Sequence, residues 1–365
     1  MIMKKFLLCG TLVCAVYSFA AAGERQAVKF DYDVAFQTAF DNREYDRSDA
    51  LDISQTLFGV RAQVGLGIKI GSDSSKVRQR ILAGADPLYE FGGGWTVEPL
   101  LWYEMSAPLK RCRFSIVAGA FPRSKSTEYY SEAFYSERAR FLKDTYDGLQ
   151  FSWKGRKFGY EFGVDWMGML RSASPETREQ FVVYSAGHHT FLPGLRLGYS
   201  AHLHHYANSM KARNVVDDIL VNPYIEYNAA HYAHVQTLLA RVGYIQAFQR
   251  DRDLSSKLQT PSKGEFYFEI RNWNVGIVND LFYGGDLLPL FNVNSPEGKP
   301  YGTDLYMRDP FLRNRNDKAL CIYDKVSVYY EPFIVKRLTF RIQLDFQFNG
   351  GFAGSRQMIC VKYNL

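Results

Sequence analysis

The chain has 365 residues and a mass of 41.9 kDa, enough for one large core or one large barrel. Its formal net charge is +6, and no basic stripe with interleaved aromatic residues is present, so nucleic acid is not an expected partner. Beyond residue 22 the cysteines are Cys112, Cys321 and Cys360. Their odd number and the absence of CxxC spacing predict neither a disulfide framework nor a zinc site.

The first 22 residues have the pattern of a secretory signal peptide. Lys4 and Lys5 supply the positive charge, residues 6–19 are apolar, and small residues follow from Ala20 to Gly23. This apolar stretch is too short for a membrane-spanning helix. We therefore expect a signal peptide at 1–22 and a single domain over 23–365.

The composition combines a mean hydropathy typical of soluble proteins with many aromatic residues. No later run of eighteen apolar residues occurs, and the mean hydropathy is −0.25, yet the chain has 27 Phe and 25 Tyr. A transmembrane β-barrel reconciles these properties, because alternate residues of each strand face lipid and water.

Alternation of apolar and polar residues is the main structural signal. It occurs in residues 28–40, 60–70, 158–166, 195–203 and 338–348, and the apolar face of each of these segments carries no charged residue. Lys or Arg facing lipid at the bilayer midplane would cost roughly 2–4 kcal/mol each, so a lipid-facing surface requires this absence. A soluble β-sandwich also alternates, but its strands are usually shorter, at about 5–6 residues. The pattern favours a closed antiparallel β-barrel.

The chain contains about sixteen such segments, although fourteen is an alternative because the third and the eleventh are poorly patterned. The predicted segments are 28–40, 52–70, 76–86, 95–106, 110–121, 146–154, 158–168, 178–190, 195–207, 217–229, 233–249, 264–271, 274–284, 319–331, 337–349 and 355–365. Short and long connections alternate between them, as expected for a barrel. Pro99 and Pro223 fall inside two segments and predict a bulge or a shifted boundary at each.

At the end of the chain Ile359, Val361, Tyr363 and Leu365 share one apolar face. This resembles the C-terminal strand of outer-membrane proteins, which the barrel-assembly machinery recognises, although such strands usually end in an aromatic residue rather than Leu. With the leader, the strand count and the connection lengths, the whole mature chain resembles a bacterial porin. The resemblance implies an outer-membrane location, contact with membrane lipid, passive diffusion of small hydrophilic solutes, no cofactor, and compatibility with a homotrimer.

In general porins the third outer loop folds into the lumen and narrows the pore. Its counterpart here is Pro122–Thr145, one of the two longest connections. Residues 128–143 are predicted to form a short amphipathic helix that carries Glu132, Glu137, Arg138 and Arg140. The alternative is an ordinary solvated surface loop.

Charged residues of both signs fall on the predicted lumen face. The further candidates for lining the pore are Arg61, Arg113, Glu161, Asp165, Arg196, Arg341 and Asp345. Rings of one sign would select ions by charge, whereas this mixture predicts a transverse field or ion pairs that brace the wall. Trp102 and Tyr224 should also face inward, where they would be able to stack on sugar rings.

Two groups of residues resemble parts of a chemical site, but neither pattern is complete. His202 and His204 share a face at a spacing that can chelate one ion, but no carboxylate or cysteine is implied nearby, and a simple hairpin would pair Val183 with His202. Ser200 shares the same face, in an order reversed from the His-x-Ser pair of the outer-membrane phospholipase. We therefore expect no metal site and no enzymatic activity. The functional alternative to a channel is a barrel that acts as a receptor, an adhesin or a structural anchor through 122–145 and 285–316.

Overall fold

A single closed antiparallel sheet of sixteen strands forms the protein. The computed structural model describes residues 28–46, 53–71, 77–172, 177–207, 209–210, 213–296, 298–314 and 318–365. The predicted signal peptide lies outside these residues. The prediction of a sixteen-strand barrel is confirmed, and the fourteen-strand alternative is wrong. The two poorly patterned segments are both strands.

The strands follow one another around the barrel in chain order. Their bounds are β1 Val28–Tyr45, β2 Gln55–Ile70, β3 Arg78–Glu90, β4 Gly94–Pro108, β5 Cys112–Pro122, β6 Thr145–Gly155, β7 Phe158–Gly168, β8 Gln180–Leu192, β9 Leu195–Tyr206, β10 Val216–Asn228, β11 Thr237–Asp251, β12 Ser262–Asn272, β13 Val275–Gly284, β14 Cys321–Tyr330, β15 Leu338–Asn349 and β16 Phe352–Asn364. Pairing of β1 with β16, in a register that joins Thr38 to Val361, closes the sheet. Closure leaves no free strand edge.

Alternation along each strand separates an inner from an outer surface. On β2, Arg61 and Gln63 are buried inside the barrel, whereas Leu66 is half exposed on the outside. Because side chains of a strand point alternately to the two faces, the sequence pattern alone specifies which residues face inward. The polar core therefore lies in the lumen, and the apolar residues form the outer wall.

Tight turns join the strands at one end of the barrel. Trp273 and Asn274 connect β12 to β13, both with positive φ, as a two-residue type I′ hairpin turn requires. The predicted bulges at the prolines are not observed. The register of β3 with β4 continues through Pro99, and β10 has the same register with β11 on either side of Pro223. At Pro223 the ladder to β11 is only interrupted locally.

Exposed aromatic residues collect at both ends of the outer wall. Trp95 and Phe91 lie at the end with long connections, and Trp273, Tyr232 and Phe333 lie at the end with tight turns. Such paired girdles mark the two interfaces of a membrane. The helices are short: α1 Glu137–Leu142, α2 Ala230–Ala233 and α3 Gly302–Leu305, with 3₁₀ turns at Arg123–Lys125 and Pro310–Leu312. None of the helices in the described ranges is long and apolar enough to cross a bilayer.

A charge placed on the middle of the outer wall should destabilise the barrel. Val64 lies near the centre of β2 on its apolar face, opposite Val34 of β1. We expect Val64→Arg to lower the free energy of unfolding by about 2–4 kcal/mol, measured by denaturant titration in lipid vesicles, since a guanidinium at the midplane loses its hydration. Val28→Arg, at the end of the neighbouring strand, is the matched control and should cost about 0–1 kcal/mol. Equal costs at the two positions would contradict a lipid-facing wall.

Candidate functional site

The connection between β5 and β6 folds into the lumen. We call residues 123–144 the first inner loop. Its middle reaches the opposite wall, where Lys325 of β14 pairs with Glu132 and Arg356 of β16 pairs with Glu137. These partners are separated by 193 and 219 residues in the sequence. The loop therefore crosses the inside of the barrel instead of lying on its surface.

The near wall anchors the start of the same loop. The carboxylate of Glu161 on β7 accepts hydrogen bonds from the Ser126 hydroxyl and from the backbone N–H groups of Thr127, at 3.0 Å, and Glu128, at 3.3 Å. At the other end of the loop, Arg61 of β2 donates to the carbonyl oxygen of Leu142 at 2.9 Å. Bonds to charged groups are the stronger ones in proteins, so the loop is held at several points.

The helix within this loop is shorter than the sequence suggested. The predicted helix over 128–143 is wrong in extent, because only Glu137–Leu142 is helical. Ser136 starts the helix, its side chain accepting a hydrogen bond from the backbone N–H of Ala139 at 3.1 Å. Tyr130, Phe134 and other aromatic residues before it pack against the wall, and Glu132 lies outside the helix. Glu137, Arg138 and Arg140 do lie on α1.

The connection between β13 and β14 also turns inward, which the sequence analysis did not predict. We call residues 285–314 the second inner loop. Leu287, Leu305 and Phe311 are buried in it, and Arg308 pairs with Asp218 of β10. Tyr306 donates to the side-chain oxygen of Gln249 at 2.6 Å. The apolar residues of this segment could have indicated its inward course, because an exposed loop would leave them in contact with water.

Two cavities lie on either side of α1. The first, of about 630 Å³, opens towards the tight turns and is lined by Gln37, Arg341 and Lys362 among others. The second, of about 660 Å³, lies towards the long connections, beside Tyr45 and Asn292. Glu137, Arg138 and Arg356 line both cavities. These three residues therefore form the boundary between the two halves of the lumen, which we call the constriction.

Basic side chains outnumber acidic ones around both cavities. Seven basic and five acidic residues line the first cavity, and six basic and three acidic residues line the second. Within the described part of the chain, Arg138 and Lys362 have no salt bridge, whereas Arg356 is paired with Asp41 at 2.7 Å as well as with Glu137. Both cavities are therefore bordered by an excess of positive charge.

Two acidic groups of the first inner loop have opposite electrostatic environments. Burial disfavours the Glu137 carboxylate, but Arg356 and Lys325 outweigh this cost and hold the pKa of Glu137 well below its usual range. Burial raises the pKa of Asp144 to about 6, although the nearby guanidinium groups of Arg61 and Arg123 oppose the shift. Glu137 is thus a fixed negative charge, and Asp144 can change its charge near neutral pH.

The residues named from the sequence as pore-lining candidates separate into two groups. Those beside a cavity are Glu132, Glu137, Arg138, Arg140, Arg61 and Arg341. Those outside both cavities are Arg113, Glu161, Asp165, Arg196 and Asp345. Most of the second group brace the structure: Asp165 pairs with Arg123 at 3.3 Å, Asp345 with Arg356 at 3.4 Å, and Arg196 with Glu226 at 3.3 Å. Alternation places a residue on the inner face without telling whether a loop covers it.

Trp102 and Tyr224 are not available for stacking on sugars. Trp102 is 2 % exposed and lies 5.9 Å from the Lys125 ammonium, while Tyr224 is packed edge-on against Tyr129. Both point inward as predicted, but the first inner loop covers them. They serve as packing surfaces for that loop.

The structure does not assemble Ser200 and His202 as a catalytic pair. Both are buried, and neither the Ser200 hydroxyl nor either His202 ring nitrogen has a hydrogen-bond partner. A different dyad, which the sequence did not reveal, lies in the lumen: His188 Nδ1 is 2.6 Å from the Glu128 carboxylate. Sixty residues separate the two, so only the fold brings them together.

The closed barrel, its apolar outer wall and its aromatic girdles define an integral protein of the bacterial outer membrane. Two solved structures with TM-scores above 0.5 share this fold. OmpT of Vibrio cholerae in a loop L8 deletion form has a TM-score of 0.56 at 10% identity, covering 93% of this chain and 100% of that one. The trimer form of OmpT from the same organism has a TM-score of 0.55 at 11% identity, and the match covers 93% of this chain and 100% of that one. OprD of Pseudomonas aeruginosa has a lower TM-score of 0.46 at 9% identity, and the match covers 92% of this chain and 95% of that one.

The chain belongs to the lipid A 3'-O-deacylase-type family, whose model matches residues 23–250. A comparison with curated proteins gave no match. The family membership corrects one expectation. The sequence pattern predicted a protein without enzymatic activity, and this prediction is wrong, because the family points to an enzymatic outer-membrane barrel. Contacts such as that of His188 with Glu128 join residues 60 positions apart, so local sequence spacing does not reveal them.

Proposed function

We propose that the barrel conducts small hydrophilic solutes across the outer membrane and favours anions. The observation that supports this most strongly is the arrangement of two cavities, of about 630 and 660 Å³, on either side of α1 and bordered by Arg138 and Arg356. The long connections would face the cell exterior and the tight turns the periplasm. Solutes would then pass from the second cavity through the constriction into the first.

Charge explains the preference for anions. The positive excess around both cavities raises the local concentration of anions and lowers that of cations. Paired arginines contribute little to this field, whereas Arg138 and Lys362 have no neutralising salt bridge in the described part of the chain. The selectivity would therefore depend on a few residues in spite of the mixed charges of the lumen.

Planar lipid bilayers provide the test of this proposal. The purified, folded protein should produce discrete conductance steps, and in a salt gradient its reversal potential should show a preference for chloride over potassium. A folded preparation that inserts into the bilayer without conducting would reject the channel. Conductance without a preference for anions would reject the proposed selectivity but not the proposed channel.

The charge of Asp144 should make the selectivity pH-dependent. Its pKa of about 6 means that a fall from pH 7.5 to pH 5 neutralises one negative charge beside the first cavity. We expect the preference for chloride to rise over this range, as measured by reversal potentials. In Asp144→Asn, which has no charge to lose there, the change should be smaller. An undiminished pH response in this variant would rule out Asp144 as its source.

A second candidate function is hydrolysis of an ester-linked acyl chain, and the family membership favours it. Ester hydrolysis adds water across the acyl C–O bond and releases a fatty acid and an alcohol. The Glu128 carboxylate can orient the His188 ring as a general base for that water, at their separation of 2.6 Å. This dyad faces the lumen, so its substrate would have to enter the barrel.

Mass spectrometry of lipid A tests the second candidate. Incubation of the purified protein with lipid A in mixed micelles should remove the 3'-O-linked acyl chain, and His188→Gln should abolish the loss. Ser200→Ala serves as the comparison, because Ser200 has no hydrogen bond to a histidine in the structure. Unchanged lipid A with a folded, conducting protein would leave the channel as the surviving proposal.

We propose two protein partners besides membrane lipid, the barrel-assembly machinery and further copies of this chain. β16 ends in an apolar outward face suited to the barrel-assembly machinery, and its pairing with β1 is the last closure the barrel needs. A homotrimer would bury part of the apolar outer wall.

A further inference from the structure

A cluster of buried polar side chains, several of whose atoms lack a hydrogen-bond partner, lies on the inner face of β9 and β10. His202 and His204 come from β9, and Asp218 of β10 lies opposite His204 in the strand register. One ligand atom of each of the three lies within 4.8 Å of the others, and all three residues are buried. The cluster borders neither of the two cavities.

These groups are costly to leave unpartnered. Neither ring nitrogen of His202 nor one carboxylate oxygen of Asp218 has a hydrogen-bond partner, and the contact of the His204 ring with the Leu305 backbone falls outside hydrogen-bond geometry. A buried polar group without a partner lowers the folding stability by roughly 1–3 kcal/mol, so several such groups together would destabilise the protein considerably. Nitrogen atoms of neutral imidazole and a carboxylate oxygen are, in contrast, a common ligand set for divalent transition metals.

We propose that His202, His204 and Asp218 bind a divalent transition-metal ion of the Zn²⁺ class. The ligand atoms lie within 4.8 Å of one another, and bonds of about 2.0–2.2 Å to one ion would require them to move closer by about an ångström. Water would complete a four-coordinate site. The ion would tie β9 to β10 behind the inner loops, a role separate from conduction and from ester hydrolysis.

The surroundings of the cluster orient its ligands. Arg308 of the second inner loop donates to one oxygen of Asp218 and leaves the other oxygen free for the ion. Phe134 and Tyr135 of the first inner loop lie 6.0 and 5.7 Å from the His202 ring and cover it. Partners behind the ligands fix ligand geometry in metal sites generally. The positive charge of Arg308 reduces the affinity below that of a site with an unpaired carboxylate.

Burial of all three ligands determines how the experiment is done. Because the ion must enter before the barrel closes, the mature chain, carrying a purification tag without histidines, is refolded in detergent with zinc present. It is then passed through a chelator-containing column and analysed for metal content. His204→Gln removes one ligand at nearly constant volume. His231→Gln is the matched control, since His231 lies on α2, away from the cluster.

We expect about one zinc ion per chain in the wild type and in the His231→Gln control, and several-fold less in His204→Gln, with tetrahedral Co²⁺ absorption showing the same pattern. Heat-modifiable migration in gels confirms that each preparation is folded. A folded wild type without bound zinc would overturn the proposal, as would equal binding by His204→Gln.

Discussion

Removal of the first inner loop should increase single-channel conductance several-fold. We expect this when residues 126–142 are replaced by a four-residue Gly-Ser linker. The deletion removes α1, so the cavities on its two sides merge into one open lumen. Pro122 and Thr145 are paired across β5 and β6, so a short linker spans the gap without strain. The wall should remain closed, because its hydrogen bonds run between strands.

The deletion exposes the partners of the loop, including Glu161 and Lys325, to water rather than leaving them buried and unpaired. Losing the contacts of these side chains with the loop should therefore destabilise the protein less than removing one partner of a pair that stays buried in an intact lumen. The matched control replaces residues 253–258, a stretch of exposed residues between β11 and β12 that lines neither cavity. Its conductance should be that of the wild type. A folded deletion variant with wild-type conductance would show that the loop does not limit flow.

Charge reversal at Arg138 should shift the selectivity strongly towards cations. Arg138 borders both cavities, and within the described residues it forms no salt bridge, so Arg138→Glu breaks no ion pair. One unit charge about 6 Å from a permeating ion contributes about 0.7 kcal/mol in water. A change of two charge units therefore alters the local concentration of each ion by about tenfold, upward for cations and downward for anions, so that their ratio changes by about a hundredfold in dilute salt. Screening reduces this effect in concentrated salt.

Reversal potentials in a potassium chloride gradient measure the effect. Arg113→Glu makes the same charge change at a residue that the sequence also placed in the lumen but that lines neither cavity. It should leave the selectivity nearly unchanged. Equal shifts in the two variants would mean that the net charge of the protein, rather than the constriction, sets the preference. No shift in Arg138→Glu would place the narrowest passage elsewhere.

The amino-acid sequence by itself determined the barrel. Side chains of a strand alternate between two faces, so residues such as Leu66 and Arg61 were assigned to the correct surfaces from local spacing alone. The number of strands followed, because each crossing needs its own alternating segment. The inward course of 122–145 came from resemblance to porins, and the contacts of Glu132 and Glu137 with the far wall agree with it.

Only the tertiary structure decided which inward residues meet. The pairing of β8 with β9, which includes a register shift between Thr190 and Leu192, places His202 opposite Tyr184 and not opposite Val183 as predicted. Asp218 joins the histidines from the next strand, and Arg308 reaches it from 90 residues away. Alternation is a local property of the chain and fixes the face of each residue. Charge pairing, cavities and ligand clusters depend on contacts across the lumen, which no local spacing encodes.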